Sequence, residues 1–197
     1  MRAVLLSGGM DSIALAYWKQ PQVAITINYG QVCARAELEA ATTVAGSLGC
    51  QHEIVEVDCR TLGSGDLAGK PVHPLGATQE WWPYRNQLLI TFAAMKAVQT
   101  GATELLIACV KTDGNYRDGT PDFIKRIDGL VSFQEGGLHV SAPAIGLTTV
   151  ELVRQSEIPF ELLAWAHSCH CGNFACGDCR GCFKHQAAME ALGHGYY

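Results

Sequence analysis

Apolar and polar positions along the chain follow two alternating periods. Ala3–Leu6 is a short, wholly apolar run closed by Ser7-Gly8-Gly9, the form of a buried strand ending in a tight turn. Asp11–Lys19 follows with helical spacing and stops before Pro21; Val23–Asn28, rich in β-branched residues, is a second strand. Arg35–Leu48 sets Leu38, Ala41, Val44, Ala45 and Leu48 on one helical face, with Gly49 at the stop. Glu53–Val57 alternates as a half-buried strand. Residues 58–83 are irregular and rich in glycine and proline, a length of loop that is commonly functional or mobile. Beyond it the pattern predicts a helix over Arg85–Gln99, a buried strand over Glu104–Val110 and a polar loop over Lys111–Pro121. A helix over Asp122–Phe133, a short strand over His139–Ala142 and a helix over Thr148–Gln155 complete it.

Strands alternating with helices imply an α/β fold: a doubly wound, mainly parallel sheet covered on both faces. After residue 165 the apolar period gives way to a Cys-, Gly- and His-rich tail. The expected division is therefore an α/β domain over 1–165 with a small helical, metal-stapled lobe over 166–197 packed on it. Ligands of such sheets gather at the carboxyl ends of the strands. Here those ends are Ser7–Ser12, Asn28–Gln31, the 58–83 loop and Lys111–Asp118, and each carries unusual polar chemistry.

Composition narrows the classes. With 197 residues and 48% apolar content, the chain can bury a full core and is not a disordered linker. Fourteen Lys and Arg against nineteen Asp and Glu leave a net charge of −5, against the basic footprint of a general nucleic-acid binder. No apolar run approaches the roughly 18 residues of a membrane span, and the apolar stretch after Arg2 is too short for a signal peptide. A cytoplasmic protein with reduced thiols is the expectation.

Ser7-Gly8-Gly9-Met10-Asp11-Ser12 joins the first strand to the first helix. The glycines permit a sharp turn and close approach of a ligand, and the amides at the helix start point at an anion. Ser7 and Ser12 add hydroxyls, and Asp11 facing a phosphate implies Mg2+. The spacing fits neither a dinucleotide fingerprint nor a Walker loop. The plain alternative is a strand-to-helix turn with a polar cap.

Nine cysteines are present, and Cys169, Cys171, Cys176, Cys179 and Cys182 fall close together. Cys-x6-Cys-x2-Cys-x2-Cys supplies four thiolates (Cys169, Cys176, Cys179 and Cys182), enough for one structural zinc. Cys171 competes with Cys169 for the first position. Disulfides, an iron–sulfur cluster and unliganded thiols are the other readings. Cys33, Cys50, Cys59 and Cys109 are scattered and read as buried filler, with Cys33, just after the turn, a lesser site candidate.

The first turn resembles the Ser-Gly-Gly-x-Asp-Ser loop of the ATP pyrophosphatases. Together with Tyr29-Gly30-Gln31, Arg85-Asn86 at a helix start, the Asp-containing loop before Phe123 and the Cys-x2-Cys-x2-Cys tail, it is similar to the 7-cyano-7-deazaguanine synthase family. The resemblance runs through nearly the whole chain in matching order. It implies a Rossmann-like architecture of the adenine-nucleotide α-hydrolase kind. It also implies an ATP-dependent carbon–nitrogen ligase of queuosine biosynthesis, converting 7-carboxy-7-deazaguanine and ammonia to the nitrile through adenylated acid and amide. On that resemblance, Ser7, Gly8, Gly9, Met10, Asp11, Ser12, Tyr29 and Lys111 bind ATP with Mg2+, and Asp11, Ser12 and Arg85 are catalytic. Tyr29, Gln31, Arg85, Asn86, Asp113, Tyr116 and Asp118 bind the deazapurine carboxylic acid, and the tail holds structural Zn2+. A homodimer is implied as well.

The chain departs from that pattern at Trp82-Pro83-Tyr84, at Tyr116-Arg117-Asp118-Gly119-Thr120, and at Thr149, where a lysine is expected. For Arg85 and Lys111 a solvent-facing helix-start cation is the alternative. Asp122 reads as a helix cap; Tyr29, Trp81, Trp82 and Tyr116 read as rings that can stack on a flat base, with a core or subunit-interface role the alternative for the two tryptophans. His73, His139 and His185 read as structural or surface residues. A divergent member that transfers the adenylated acid to a protein amine, or a related tRNA-modifying enzyme, is the competing reading. A non-catalytic nucleotide-binding module is the third.

Overall fold

β-Branched runs form strands and Ala/Leu-rich runs form helices in the computed structural model, which describes residues 1–195. In chain order the elements are β1 (Arg2–Leu5), α1 (Met10–Lys19), β2 (Val23–Asn28), α2 (Ala34–Leu48), β3 (Gln51–Glu56), α3 (Arg85–Gln99), β4 (Glu104–Leu106), α4 (Pro121–Phe133), β5 (His139–Ser141), α5 (Thr149–Ser156), α6 (Phe160–Leu163) and α7 (Arg180–Ala191). The five strands form one sheet in the order β3-β2-β1-β4-β5, and every pairing is parallel.

Helices cover both faces. On one, Ile13 and Leu15 of α1, Val44 of α2, Leu152 of α5 and Met189 of α7 pack with Val4 and Leu106. On the other, Ile90 and Ala97 of α3 and Ile127 of α4 pack with Ala3, Ile25 and Leu105. α7 thus joins the tail to the main core through Ala188 and Met189. The chain winds outward from β1 to β3 and then crosses back to β4, so the order reverses between β1 and β4. In sheets of this kind, ligands gather at the carboxyl ends of the strands on either side of such a reversal.

The boundaries depart from the sequence reading in places. β4 stops at Leu106 because its partner β5 is three residues long; Ile107 N donates a last bond to Ser141 O at 2.9 Å and the ladder ends. Asp122 is not the cap of α4: Thr120 Oγ1 accepts from Phe123 N at 3.3 Å, and Asp122 instead pairs with Arg126 at 2.8 Å. The 58–83 stretch holds two 3-10 turns, Arg60–Leu62 and Asp66–Ala68, and sends Trp82 into the core. Among the described residues no helix is long and apolar enough to cross a membrane.

Candidate functional site

The turn from β1 into α1 folds around its own polar atoms. Gly8 takes φ +78°, and a side chain there would collide with the Glu37 carbonyl of α2, so only glycine lets the turn lie against that helix. Gly9 is the N-cap of α1. Ser12 Oγ donates to Gly9 O at 2.9 Å and Ser7 Oγ donates to Ser12 Oγ at 3.1 Å. Met10 sends its side chain into the core, so only its backbone is left for a ligand at the turn. The tail closes over the turn, with His167 N donating to Gly8 O at 2.9 Å.

Asp11 occupies the first turn of α1. Its Oδ2 accepts from Lys184 Nζ of α7 at 2.8 Å, while its Oδ1 is buried without a hydrogen-bond partner. Burial pushes the Asp11 carboxyl up from its ordinary range, against the pull of Lys184. Lys184 also meets Asp113 Oδ1 at 3.3 Å. Burial works against the ammonium, but the two carboxylates outweigh it and hold Lys184 above its ordinary value. Thr149, at the start of α5, stands beside Asp11 and favours its charged form, although its own hydroxyl has no hydrogen bond of good geometry. Asp113 Oδ2 additionally accepts from Val110 N at 3.1 Å, fixing the turn after β4. Lys111 is exposed and acts on Glu151 at the N-terminus of α5, so Lys184 is the ammonium that reaches Asp11.

A second group lies at the end of β2. Gln31 is buried; its Oε1 accepts from Tyr29 N at 3.0 Å and its Nε2 donates to Glu37 Oε2 at 2.7 Å. Cys33 Sγ donates to Glu37 Oε1 at 3.4 Å. Burial pushes the Glu37 carboxyl up, opposed by Gln31, Cys33 and the charge of Arg85. Tyr29 is 5% exposed and its ring meets Trp82 edge-on at 4.9 Å, so the ring is not free to stack on a base as expected. Burial raises its phenol, and nearby Arg85 opposes that rise. Asn86 Nδ2 donates to Asp118 O at 3.4 Å, bringing the start of α3 to the turn after β4.

Tyr116 does not face an open base site either. Its hydroxyl donates to Glu80, Arg180 lies over its ring with the guanidinium carbon 4.9 Å from the centroid, and Arg180 Nη1 reaches Glu80 at 2.9 Å. This clasp ties the 58–83 loop, the turn after β4 and the start of α7 together.

The sulfurs of Cys169, Cys176, Cys179 and Cys182 all lie within 4.8 Å of one another, and Cys176 and Cys182 are 3.9 Å apart. Cys171 is exposed and outside the group, so Cys169 takes the first position. Backbone amides converge on the sulfurs: His170 N and Cys182 N on Cys179 at 3.3 and 3.4 Å, Cys171 N on Cys169 at 3.4 Å, Asp178 N on Cys176 at 3.5 Å. The Asp178 amide draws the Cys176 thiol down to about 6. A side chain at Gly181 would overlap the Ser168 carbonyl, so the knuckle needs glycine there. The donor set suits a metal that takes four thiolates.

Sequence reasoning missed Lys184, Arg180, Glu37 and Glu80. The two cations did carry a signal: they stand four apart at the start of α7, directly after the cysteines, and so share one face. His185 is buried, its Nδ1 3.1 Å from Ser168 Oγ, and His139 pairs with Asp128 at the surface.

The family described as queuosine biosynthesis protein QueC matches residues 2–193. The 7-cyano-7-deazaguanine synthase of Cupriavidus pinatubonensis is 29% identical over 211 residues, covering 96% of this chain and 93% of that protein. The protein of the same name from Xanthomonas campestris pv. campestris strain B100 is 31% identical over 209 residues, again 96% and 93%. Among solved structures, the U34-tRNA thiolase NcsA of Methanococcus maripaludis with its [4Fe-4S] cluster aligns with TM-score 0.54 and 18% identity, over 98% of this chain and 64% of that one. The NMN synthetase of Francisella tularensis aligns with TM-score 0.52 and 14% identity, over 100% of this chain and 78% of that one. At these identities the structural likeness concerns the fold.

Proposed function

The chain belongs to the QueC family of queuosine biosynthesis proteins, and on that premise we propose that it makes 7-cyano-7-deazaguanine from 7-carboxy-7-deazaguanine and ammonia, as an ATP-dependent carbon–nitrogen ligase of the cytoplasm. A carboxylate oxygen of the acid attacks the α-phosphorus of ATP and pyrophosphate leaves. Ammonia adds at the activated carbonyl carbon and AMP leaves with the oxygen, giving the amide. The amide oxygen attacks the α-phosphorus of a second ATP as pyrophosphate and one amide proton leave, and loss of AMP with the remaining proton closes the nitrile.

The observation that carries this reading is the turn of residues 7–12 at the reversal of the sheet, with an Asp11 oxygen buried and unpartnered. Amides of Gly8, Gly9 and Met10 and the hydroxyls of Ser7 and Ser12 would hold the departing phosphates. Asp11 would orient Mg2+, which when bound offsets the charge of the polyphosphate. Arg85, beside Glu37 and the Tyr29 hydroxyl, would meet the carboxylate of the acid. Gln31, Asn86, Asp113 and Asp118 would line its binding side, with Tyr29 supporting them from the core and Tyr116 from its clasp with Glu80 and Arg180.

For the tail we propose structural zinc, with residues 166–197 a metal-held lobe on the 1–165 domain. A tetrahedral site with Zn–S bonds of about 2.3 Å sets sulfurs about 3.8 Å apart, and the Cys176–Cys182 spacing of 3.9 Å suits it. Metal analysis of the purified protein should give close to one zinc per chain. A brown, iron-containing protein would replace zinc by a cluster.

The activity is tested by incubating the protein with ATP, Mg2+, ammonium and the acid. The expected products are the nitrile with AMP and pyrophosphate, two of each per nitrile. ADP as the nucleotide product would overturn the reading.

A further inference from the structure

Among the described residues, Lys184 is the one cation paired with Asp11 and Asp113, the carboxylates in the turns after β1 and β4. Its ammonium lies 2.8 Å from Asp11 and 3.3 Å from Asp113, joining the turn after β1 to the turn after β4. Its side chain is 37% exposed and that of Asp11 18%, so the lysine is the more open member of the pair. Two features separate it from a simple counter-ion. It bridges two carboxylates that already have other roles: Asp113 caps the turn at Val110 and Asp11 opens α1. It also leaves Asp11 Oδ1 unpartnered in the interior, so neutralising Asp11 is only half done. One ammonium shared by two acids leaves a negative charge and an orphaned carboxylate oxygen beside a helix N-terminus whose amides favour an anion, a setting that suits an anion arriving with its own cation.

We propose that Lys184 is a polyphosphate-binding residue of the nucleotide site. On entry of a nucleoside triphosphate with Mg2+, the ammonium leaves Asp11 for the phosphates and the carboxylate turns to the metal. The contact is electrostatic and no bond is made or broken. The inference rests on the proposed ATP site and adds to it a residue from a helix that the first turn does not contain.

Binding tests the two claims apart, on the protein as purified. The probes are the Mg2+ complex of α,β-methylene-ATP, which carries the polyphosphate and resists cleavage, and AMP, which lacks it. Replacing Lys184→Met should weaken the triphosphate analogue by about 10- to 100-fold and AMP by less than about threefold, the loss of a charge-assisted contact. Lys184→Arg should recover most of the difference. An unchanged triphosphate affinity, or an equal loss for both ligands, would overturn the inference while leaving the ATP site standing. If the unaltered protein binds no triphosphate analogue, the proposed function falls and takes the inference with it. A readout free of any folding defect is the acetylation rate of Lys184 in the unaltered protein, followed by mass spectrometry. The Mg2+–triphosphate should slow it and AMP should not; equal rates would overturn the proposal.

Discussion

At Asp11 one carboxylate oxygen is tied to Lys184 and the other is buried without a partner, so the residue separates two roles cleanly. Asp11→Asn is isosteric, and asparagine is tolerated at a helix start. Lys184 keeps Asp113 as a partner, so the melting temperature should hardly move. If Asp11 orients Mg2+, kcat should still fall by about 10²–10³; an unchanged kcat would make it structural. Glycines give a second contrast. Gly181→Ala would drive a methyl into the Ser168 carbonyl and should cost several kcal/mol together with the bound metal, on the order of the largest single-site effects. Gly129→Ala, exposed in the middle of α4 with nothing near its side-chain position, should stabilise by about 0.5–1 kcal/mol. Thermal melts of both variants decide. The first turn could be read from the sequence because its polar residues are contiguous. Lys184 could not, because it stands 173 residues from Asp11, and nothing local says that α7 crosses that end of the sheet. Tyr29 went the other way: its motif suggested a base platform, but Trp82 fills the space against it.

Helices were legible where their ends carry chemistry. Thr148 and Glu151 form a reciprocal capping box at α5, with Thr148 N donating to Glu151 Oε2 at 2.7 Å, and Gly49 ends α2 at φ +66°. Strand lengths were less so. An apolar run such as Glu104–Val110 says that it is buried but not how long its neighbour is, and β5 is too short to pair all of it. The element that joins the two sites is α7. Cys179 caps it, accepting from Cys182 N at 3.4 Å, and its next residue, Arg180, grips Glu80. Removing the bound metal should therefore loosen more than the tail. We expect a strong chelator to lower the melting temperature by about 5–10 °C, the effect of losing a few kcal/mol in a chain this size. It should also open residues 58–83 to protease, since Glu80 loses its clasp. An unchanged digestion pattern with the metal gone would separate the clasp from the metal site.

At the scale of the molecule, the alternation of strands and helices was enough to predict a parallel sheet, but not the order β3-β2-β1-β4-β5, which depends on where each crossover lands. That order makes α2 the wall behind the first turn and places Glu37 in the interior between Gln31 and Cys33. A carboxyl raised above its ordinary 4.5 by burial holds its proton more tightly in the folded protein than in the unfolded chain. Its contribution to stability is therefore full below pH 4.5 and declines as pH rises towards the folded value, above which it is constant. Glu37→Gln removes that titration while an amide oxygen still accepts from Gln31 Nε2. Asp11 is raised in the same direction, and Asp58 and Glu151 are lowered, so the parent profile alone mixes opposing slopes. The difference between variant and parent isolates Glu37. Melting temperatures of both proteins from about pH 4.5 to 8 should show the variant gaining on the parent as pH rises and then holding a constant lead. A difference that does not change with pH would mean that Glu37 titrates in the fold as it does in water, and that Arg85 and Gln31 fully offset its burial.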